Sequence, residues 1–297
     1  MARYTLKDFQ AEFPNDFACL DRLMEVQYGG TEITCPGCGV ENAKFHLMKK
    51  RKAYACQECG HHIYPCAGTI FHKSSTPLTK WFMAMYLMTS TRSGVAAKEL
   101  ERALGVTYKT AWRMAHELRK LMASADYAGP LSGHVEADET HMGGYQKRSD
   151  YFRKGKTNKT VLFGVVERDG GKLRAGPIPD ITNYTVDPII TENVQLGSTI
   201  STDEAPVYNS LTMSGYRHGR VNHSEKEYVK GIHHTNTIEG HWSHFKRAIS
   251  GTHVHISAKH MWKYVSEFTY RRNYRHSHAL MFNRLIAAFA LPRLADG

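Results

Sequence analysis

The sequence predicts a multidomain α+β protein in three parts: a cysteine-bearing hairpin module, a helix-turn-helix, and an α/β domain with a mixed sheet. Three features predict it. Two Cys-x-x-Cys pairs, CPGC at 35–38 and CQEC at 56–59, stand 17 residues apart. The segment SGVAAKELERALGVTYKTAWRMAHELRKLM (93–122) carries two helical periodicities separated by Gly105-Val106. Beyond DYAGPLSG (126–133) the pattern changes to short alternating runs with turn residues between them.

Composition narrows the class of protein. A chain of 297 residues that is 41% hydrophobic and carries 12 Phe, 16 Tyr and 4 Trp has the apolar side chains for a folded core. The 39 Lys and Arg exceed the 28 Asp and Glu by 11, which favours a polyanionic partner without specifying a fold. The opening MARYTLKDFQAEFP lacks the apolar run of a secretory signal. The longest apolar stretch, ALMFNRLIAAFALP (279–292), is broken by Asn283 and Arg284 and is too short for a bilayer span. The expectation is a soluble cytoplasmic protein with no membrane partner, in a compartment where six cysteines read as metal ligands before disulfides.

The first part spans residues 1–73. Cys35, Cys38, Cys56 and Cys59 form two thiolate pairs on tight knuckles, which together close a tetrahedron around Zn²⁺. Gly37, Gly39 and Gly60 supply the turns, and KFHLMKKRKAYAC between the knuckles alternates as the hairpin of a zinc ribbon does. Four sulfurs leave no position for water, so the zinc is structural. Cys66, His61 or His62 could replace one ligand, and Cys19 reads as a buried thiol.

The second part, 74–125, opens on SSTP and the apolar helix LTKWFMAMYLMTS. AAKELERAL, the Gly105-Val106 turn and a second helix capped by Thr107 follow. Lys109, Arg113, Arg119 and Lys120 on that second helix suit a DNA groove or its phosphates. A helical hairpin that merely packs would look the same on this segment alone.

The third part, 126–285, reads strand, strand, strand, helix, strand, short helix, a further strand and helix, with a tail at 286–297. GHVEADETHM is the first strand, TVLFGVVERDGGKLRAGPI a hairpin with a DGGK turn, VDPIITENV a helix, and STISTDEAPVY a strand ending in acids; the short helix is expected at APVYNSLTMSGY. That order is the order of an RNase H-like domain. Such a sheet carries acids at the centre of its first strand, near the end of its fourth and on a following helix, where this chain has Asp138, Asp203 and Glu239. Converging carboxylates repel unless divalent cations neutralise them, so two Mg²⁺ (or Mn²⁺) ions are the matching partners. Any one of 28 acids is by itself a surface charge; position, not residue type, singles these out. Glu136, Glu139 and Glu204 are near neighbours, and strand alternation sets Glu136 with Asp138 and Glu139 on the other face. In HHTNTIEGHWSHFKR (233–247), helical spacing aligns Asn236, Glu239, Ser243 and Lys246 on one stripe, opposite Ile238, Trp242, Phe245 and Ile249.

The motifs CPGC…CQEC, AGTIFHKSSTPLTKWF, SGVAAKELERALGVTYKTAWRM, VEADETHMGG, TDEAPVY and HTNTIEGHWSHFKR, in this order from about residue 20 to about 275, resemble insertion-sequence transposases of the DDE type, the group with an N-terminal zinc ribbon and helix-turn-helix. The resemblance implies that Asp138, Asp203 and Glu239 hold the catalytic metals. It implies that Asn236 and Lys246 also serve the site, Asn236 as an accessory and Lys246 on a phosphate, and it leaves the third acid's work shared between Asn236 and Glu239. It further implies a homo-oligomer acting on double-stranded DNA, both the terminal inverted repeats and the target.

Basic residues add contacts outside the site. Arg247 follows Lys246, and the last long helix, SAKHMWKYVSEFTYRRNYRHSH, offers Arg271, Arg272 and Arg275 as phosphate clamps. The basic run at 144–159 reads as a loop that orders on DNA. Two rivals remain: a tyrosine transferase using His253, His255 and one of Tyr264, Tyr270 or Tyr274, and a DNA-binding regulator with idle carboxylates.

Overall fold

The computed structural model describes residues 4–127, 129–143 and 159–290, and the chain divides into two compact units, one of Met1–Ala125 with Tyr274–Gly297, the other of Asp126–Asn273. In the first unit, helices α1 (Leu6–Glu12) and α2 (Asp16–Tyr28) precede a four-stranded antiparallel sheet in sequential order, β1 (Glu32–Ile33), β2 (Ala43–Met48), β3 (Ala53–Cys56) and β4 (His62–Ile63). Thr5 caps α1 reciprocally with Asp8, and the Asn15 side chain accepts from the amides of Phe17 and Ala18 to start α2. Helices α3 (Leu78–Ser90), α4 (Ala97–Leu104) and α5 (Tyr108–Ala125) follow. Gly105, at φ 57°, ends α4 in the left-handed region, and the Thr107 hydroxyl accepts from Thr110 N–H 3.3 Å away to open α5.

The chain ends in this unit too. Phe282, on the helix His278–Ala287, packs against Phe9 and Phe13 with ring centroids 5.8 and 5.9 Å apart. The α/β unit therefore closes at Asn273, not at the expected residue 285, because the apolar face of this helix is buried among the N-terminal aromatics. The expected boundary at 73 falls inside this unit as well.

The second unit is built on a five-stranded mixed sheet. Strands β5 (His134–Met142), β6 (Thr160–Glu167) and β7 (Leu173–Ile178) are antiparallel neighbours; β8 (Thr199–Thr202) lies parallel to β5 and β9 (Arg217–Arg220) parallel to β8. Period-2 alternation divides the core. Val135, Ala137, Phe163, Val165 and Ile200 meet Val186 and Ile190 of α6 (Asn183–Asn193), whereas Leu162, Val166 and Leu173 meet Ile238, Trp242 and Phe245 of α7 (Asn236–Ala248) and Val265 and Phe268 of α8 (Met261–Asn273). The helix expected after β8 is a single 3₁₀ turn, Pro206–Tyr208, followed by turns through a segment rich in Asn, Ser and Gly.

Two residues bring α7 onto the sheet. Gly164, paired with Asp138 across β5 and β6, has no room for a Cβ, which would meet Trp242 Cζ2 at 2.9 Å and Ile238 Cδ1 at 3.1 Å. Glu136, fully buried on β5, accepts the Thr237 and Ile238 amides at 2.8 and 3.0 Å and the Thr237 hydroxyl at 2.8 Å. It thus does for α7 what a capping side chain does, from a strand about a hundred residues earlier in sequence. Arg168 Nε donates to the same carboxylate at 2.8 Å, and its other nitrogens donate to the carbonyls of Ile232 and His234. Among the described residues no helix is long and apolar enough to cross a membrane.

Removing one partner of this buried pair leaves the other charge uncompensated. Glu136→Ala is expected to lower unfolding stability by about 3–5 kcal/mol, whereas the double change Glu136→Gln, Arg168→Met recovers most of the loss. Urea denaturation of the two variants checks this, and equal loss in both would show that the charges do not depend on each other.

Candidate metal centres

The first centre belongs to the hairpin module. Sγ atoms of Cys35, Cys38, Cys56 and Cys59 all lie within 4.8 Å of one another, the only such group of His, Cys, Asp or Glu ligand atoms among the described residues. Cys35 and Cys59 Sγ are 3.6 Å apart, close to the edge of about 3.8 Å that a ZnS₄ tetrahedron with bonds of about 2.3 Å requires. Gly39 at φ 75° and Gly60 at φ 71° turn each knuckle, and Gly37 N–H points at Cys35 Sγ from 3.4 Å. Although burial opposes it, the amides of Cys38 and Gly37 draw the Cys35 thiol down to about 6, while the neighbouring sulfurs help push Cys59 up to about 12. The quartet accepts one negative charge readily and resists the next, which is the electrostatics a structural dication resolves. Cys66, His61 and His62 stand outside the quartet.

The second centre lies where β5 and β8 run side by side. Their parallel register pairs Glu136 with Ser201, and two residues further along each strand stand Asp138 and Asp203. Asp203 has just left β8, and its Oδ1 accepts from Ala205 N–H at 3.0 Å. Glu239 is in the first turn of α7; its Oε1 accepts from the Thr235 hydroxyl at 2.6 Å and lies 3.6 Å from His223 Nε2. Burial first, then Glu139, Asp203 and Glu239, raises Asp138 from 3.8 to about 8. Asp203 is also raised, by burial and by Glu204 and Glu239, against the Ala205 amide and His223. Asp138 and Asp203 resist being charged together, and the donor set of carboxylates suits hard divalent cations. Their oxygens are set wider apart than the sulfurs of the first centre.

The neighbours of the site now have distinct places. Glu136 is the clamp described above, so its charge is engaged in holding α7. Glu139, on the opposite face of β5, accepts a hydrogen bond from the buried Tyr208 hydroxyl; burial and Asp203 nevertheless raise it. Glu204 accepts from the amides of His223 and Ser224, at 3.0 and 3.2 Å, and its hydroxyl and amide donors, Ser224 foremost, hold it at about 2. Glu204 thereby fixes the 3₁₀ turn His223–Glu225 that carries His223 to Glu239. Neither the Glu136 clamp nor the Glu204 latch follows from composition; the only signal was a pair of acids beside each expected ligand.

On α7 the stripe expected from helical spacing is present. Asn236, Ser243, Lys246 and Arg247 are exposed and Glu239 half-exposed, while Ile238, Trp242 and Phe245 are buried. On α5, Lys109 and Arg113 are exposed, the Arg113 guanidinium lying 5.5 Å from the Trp81 ring centroid. Lys120 is partly covered and 3.1 Å from Glu117. Two expected DNA contacts are corrected. Arg119 is 2% exposed, its position on α5 facing the core, and Arg271 is 6% exposed and ion-paired at 2.6 Å with the buried Glu267 one turn earlier. The tyrosine alternative loses its nucleophile: Tyr264, Tyr270 and Tyr274 are all buried, and His253 stacks edge-on against Tyr264 while His255 faces solvent. The basic run at 144–158 lies outside the described residues.

Comparison with known proteins gives a consistent set of likenesses. Residues 130–273 match the family model described as the ISXO2-like transposase domain, and residues 14–62 match the transposase zinc-ribbon domain. An uncharacterized protein in transposable element ISH50 of Halobacterium salinarum is 26% identical over 256 residues, 81% of this chain and 85% of that protein. An uncharacterized transposase-like protein of Haemophilus influenzae is 31% identical over 96 residues, 32% of this chain and 76% of its own. A chain of a simian T-cell lymphotropic virus intasome, solved in complex with PP2A regulatory subunit B56 gamma, superposes with a TM-score of 0.31 at 16% identity; 59% of this chain and 64% of that one are covered, a likeness too distant to bear on function.

The raised Asp138 gives the site a pH signature. Its protonated form is favoured on folding, so its contribution to stability is full below about pH 4 and is lost as pH rises through about 8. Without added divalent cation, stability is expected to fall across that window, and Asp138→Asn to flatten the fall by about 2–4 kcal/mol at pH 8. Thermal melts of both proteins between about pH 5 and about pH 8.5 check this; identical profiles would show that Asp138 is not strained by its neighbours.

Proposed function

Because this chain belongs to the insertion-sequence transposases that pair an ISXO2-like transposase domain with a transposase zinc ribbon, we propose that it binds the ends of its DNA element, cleaves there and joins the freed 3′-hydroxyl to target DNA. One observation carries the reading: Asp138, Asp203 and Glu239, from a central strand, its parallel neighbour and the helix clamped over both, share one electrostatic environment inside the matched domain. Two bound Mg²⁺ ions would neutralise these carboxylates and supply Lewis acidity to the attacking and leaving oxygens of a phosphodiester.

The chain's own groups do the rest. Asp138 lies on β5 and Asp203 just beyond the end of its parallel neighbour β8, and Glu239 approaches from α7 with its carboxylate hydrogen-bonded by the Thr235 hydroxyl. The Asn236 amide, about one turn before Glu239, would orient a water or a sugar oxygen beside the same ions. Lys246 and Arg247, exposed further along the helix, would hold phosphates on either side of the scissile bond. Lys109 and Arg113 on α5, with the zinc ribbon, would engage the element end, and paired cutting of two ends requires a homo-oligomer on DNA. Buried Arg119 and Arg271 have no part in this interface.

Wild type and Asp203→Ala, incubated with a plasmid bearing the parent element's end, test the reading. Nicking by wild type should require added Mg²⁺ or Mn²⁺ and fall by at least about 100-fold in the variant, with DNA affinity kept. Cation-independent nicking, or a protein–DNA covalent adduct surviving in Asp203→Ala, would contradict it. Tight binding with no cleavage by wild type would instead make the chain a regulator.

A further inference from the structure

The segment after α7 does something the transposase reading does not use. At Ile249–His253 the chain widens into a π turn, with Val254 N–H donating to Ile249 C=O at 2.8 Å. Val254 itself has φ 63° and ψ −55°, and His255 N–H donates across it to His253 C=O at 2.7 Å. That is a γ-turn of the strained sense, rare for any residue and rarest for a β-branched one. The turn is firmly based: Ile249 and Ile256 on its two flanks are buried, and His253 packs edge-on against Tyr264 at 4.9 Å. Its tip is not covered, since the Val254 side chain is 82% exposed. Strain and exposed apolar surface at one position both cost stability, and glycine there would avoid both.

What faces this tip is set by charge and by position. From Gly240 to Ser266 the sequence contains no Asp or Glu, while Lys246, Arg247, His255 and Lys259 are all exposed. Exposed positions run without a break in pattern from Glu239 through Gly240, Ser243, Lys246, Arg247, Ser250 and Gly251 to Val254. The ten residues from Glu239 to Ile249 span about 15 Å of helix, or about four to five steps of duplex DNA. An apolar point rimmed by cations matches a polyanion with an apolar interior, and small apolar side chains used as wedges unstack base steps in that way.

We propose that Val254 is a wedge inserted at a base step of the bound DNA about four to five base pairs from the phosphodiester at Glu239, opening the helix beside the cut. The proposal rests on the strand-cleavage reading above. Lys259 holds a phosphate beside that step, beyond those that Lys246 and Arg247 hold at the scissile bond, while the γ-turn keeps the valine proud of the surface.

Duplexes of the parent element's end, each with 2-aminopurine at one position about two to seven steps to either side of the nick, a window that brackets the expected span of about four to five steps, report the unstacking. Wild type should raise the fluorescence at least about twofold at one position. Val254→Gly should abolish the rise and slow nicking about tenfold, with affinity by anisotropy and melting temperature undiminished. Val254→Leu, apolar and unbranched at Cβ, should restore both signals. Nicking by wild type with no fluorescent position, or an unchanged rise in Val254→Gly, would overturn the wedge while leaving the cleavage reading intact. So would a Val254→Gly variant that changes only the oligomeric state on DNA, which would make the tip a protein contact. Absence of wild-type nicking would overturn the cleavage reading instead.

Discussion

The carboxylate of Glu136 is the point on which the placing of α7 over the sheet depends. It is fully buried, it closes the N-terminus of α7, and it is held by Arg168, whose remaining donors fix the loop leading into that helix. The Glu136 oxygens are taken up by these donors, whereas Asp138, two residues further on, is raised to about 8 by burial and by Glu139, Asp203 and Glu239. The strand therefore carries two acids on one face with opposite destinies. One is engaged by protein donors and sets the helix; the other faces neighbouring acids. With α7 docked at its first turn and seated on Gly164, the backbone of Glu239 is fixed over the sheet, and the Thr235 hydroxyl donates to its carboxylate.

Both metal centres follow the same electrostatic logic with different chemistry. The cysteine quartet gathers soft ligands within one tetrahedral edge of each other and closes the coordination sphere, so it can only build structure. The carboxylates gather hard donors more loosely, and hard oxygen donors are the kind that divalent cations such as Mg²⁺ take. Soft thiolates select zinc, and carboxylate oxygens suit magnesium or manganese. The sequence class of the ligands thus separates the two roles before any geometry is considered.

Much of this was legible in the chain. Cysteine spacing located the ribbon, Gly105 and Thr107 the turn between α4 and α5, and the 3.6-residue period of α7 separated Glu239 from Ile238 and Trp242 correctly. Strand alternation put Glu136 and Asp138 on one face, yet could not say that only one of them would be engaged by the protein, because its partners Arg168, Thr237 and Ile238 are distant in sequence. Arg119 and Arg271 looked like DNA contacts because a helical arginine is exposed more often than not; the Glu267–Arg271 spacing of one turn was the available sign of a buried pair. Strand β9 pairs at an edge through polar residues and has no apolar pattern to read. The helix at 278–287 continued the periodicity of the α/β part, and only its aromatic partners at the far end of the chain assign it elsewhere.

The most direct measurement is a crystal soaked in Mn²⁺ and examined by anomalous scattering at the manganese edge. The arrangement described here requires manganese between Asp138 and Asp203, with Glu239 or Asn236 completing the site, and zinc alone at the four cysteines. Manganese bound only at other acids, with the Asp138 and Asp203 carboxylates free of metal at saturating concentration, would contradict it.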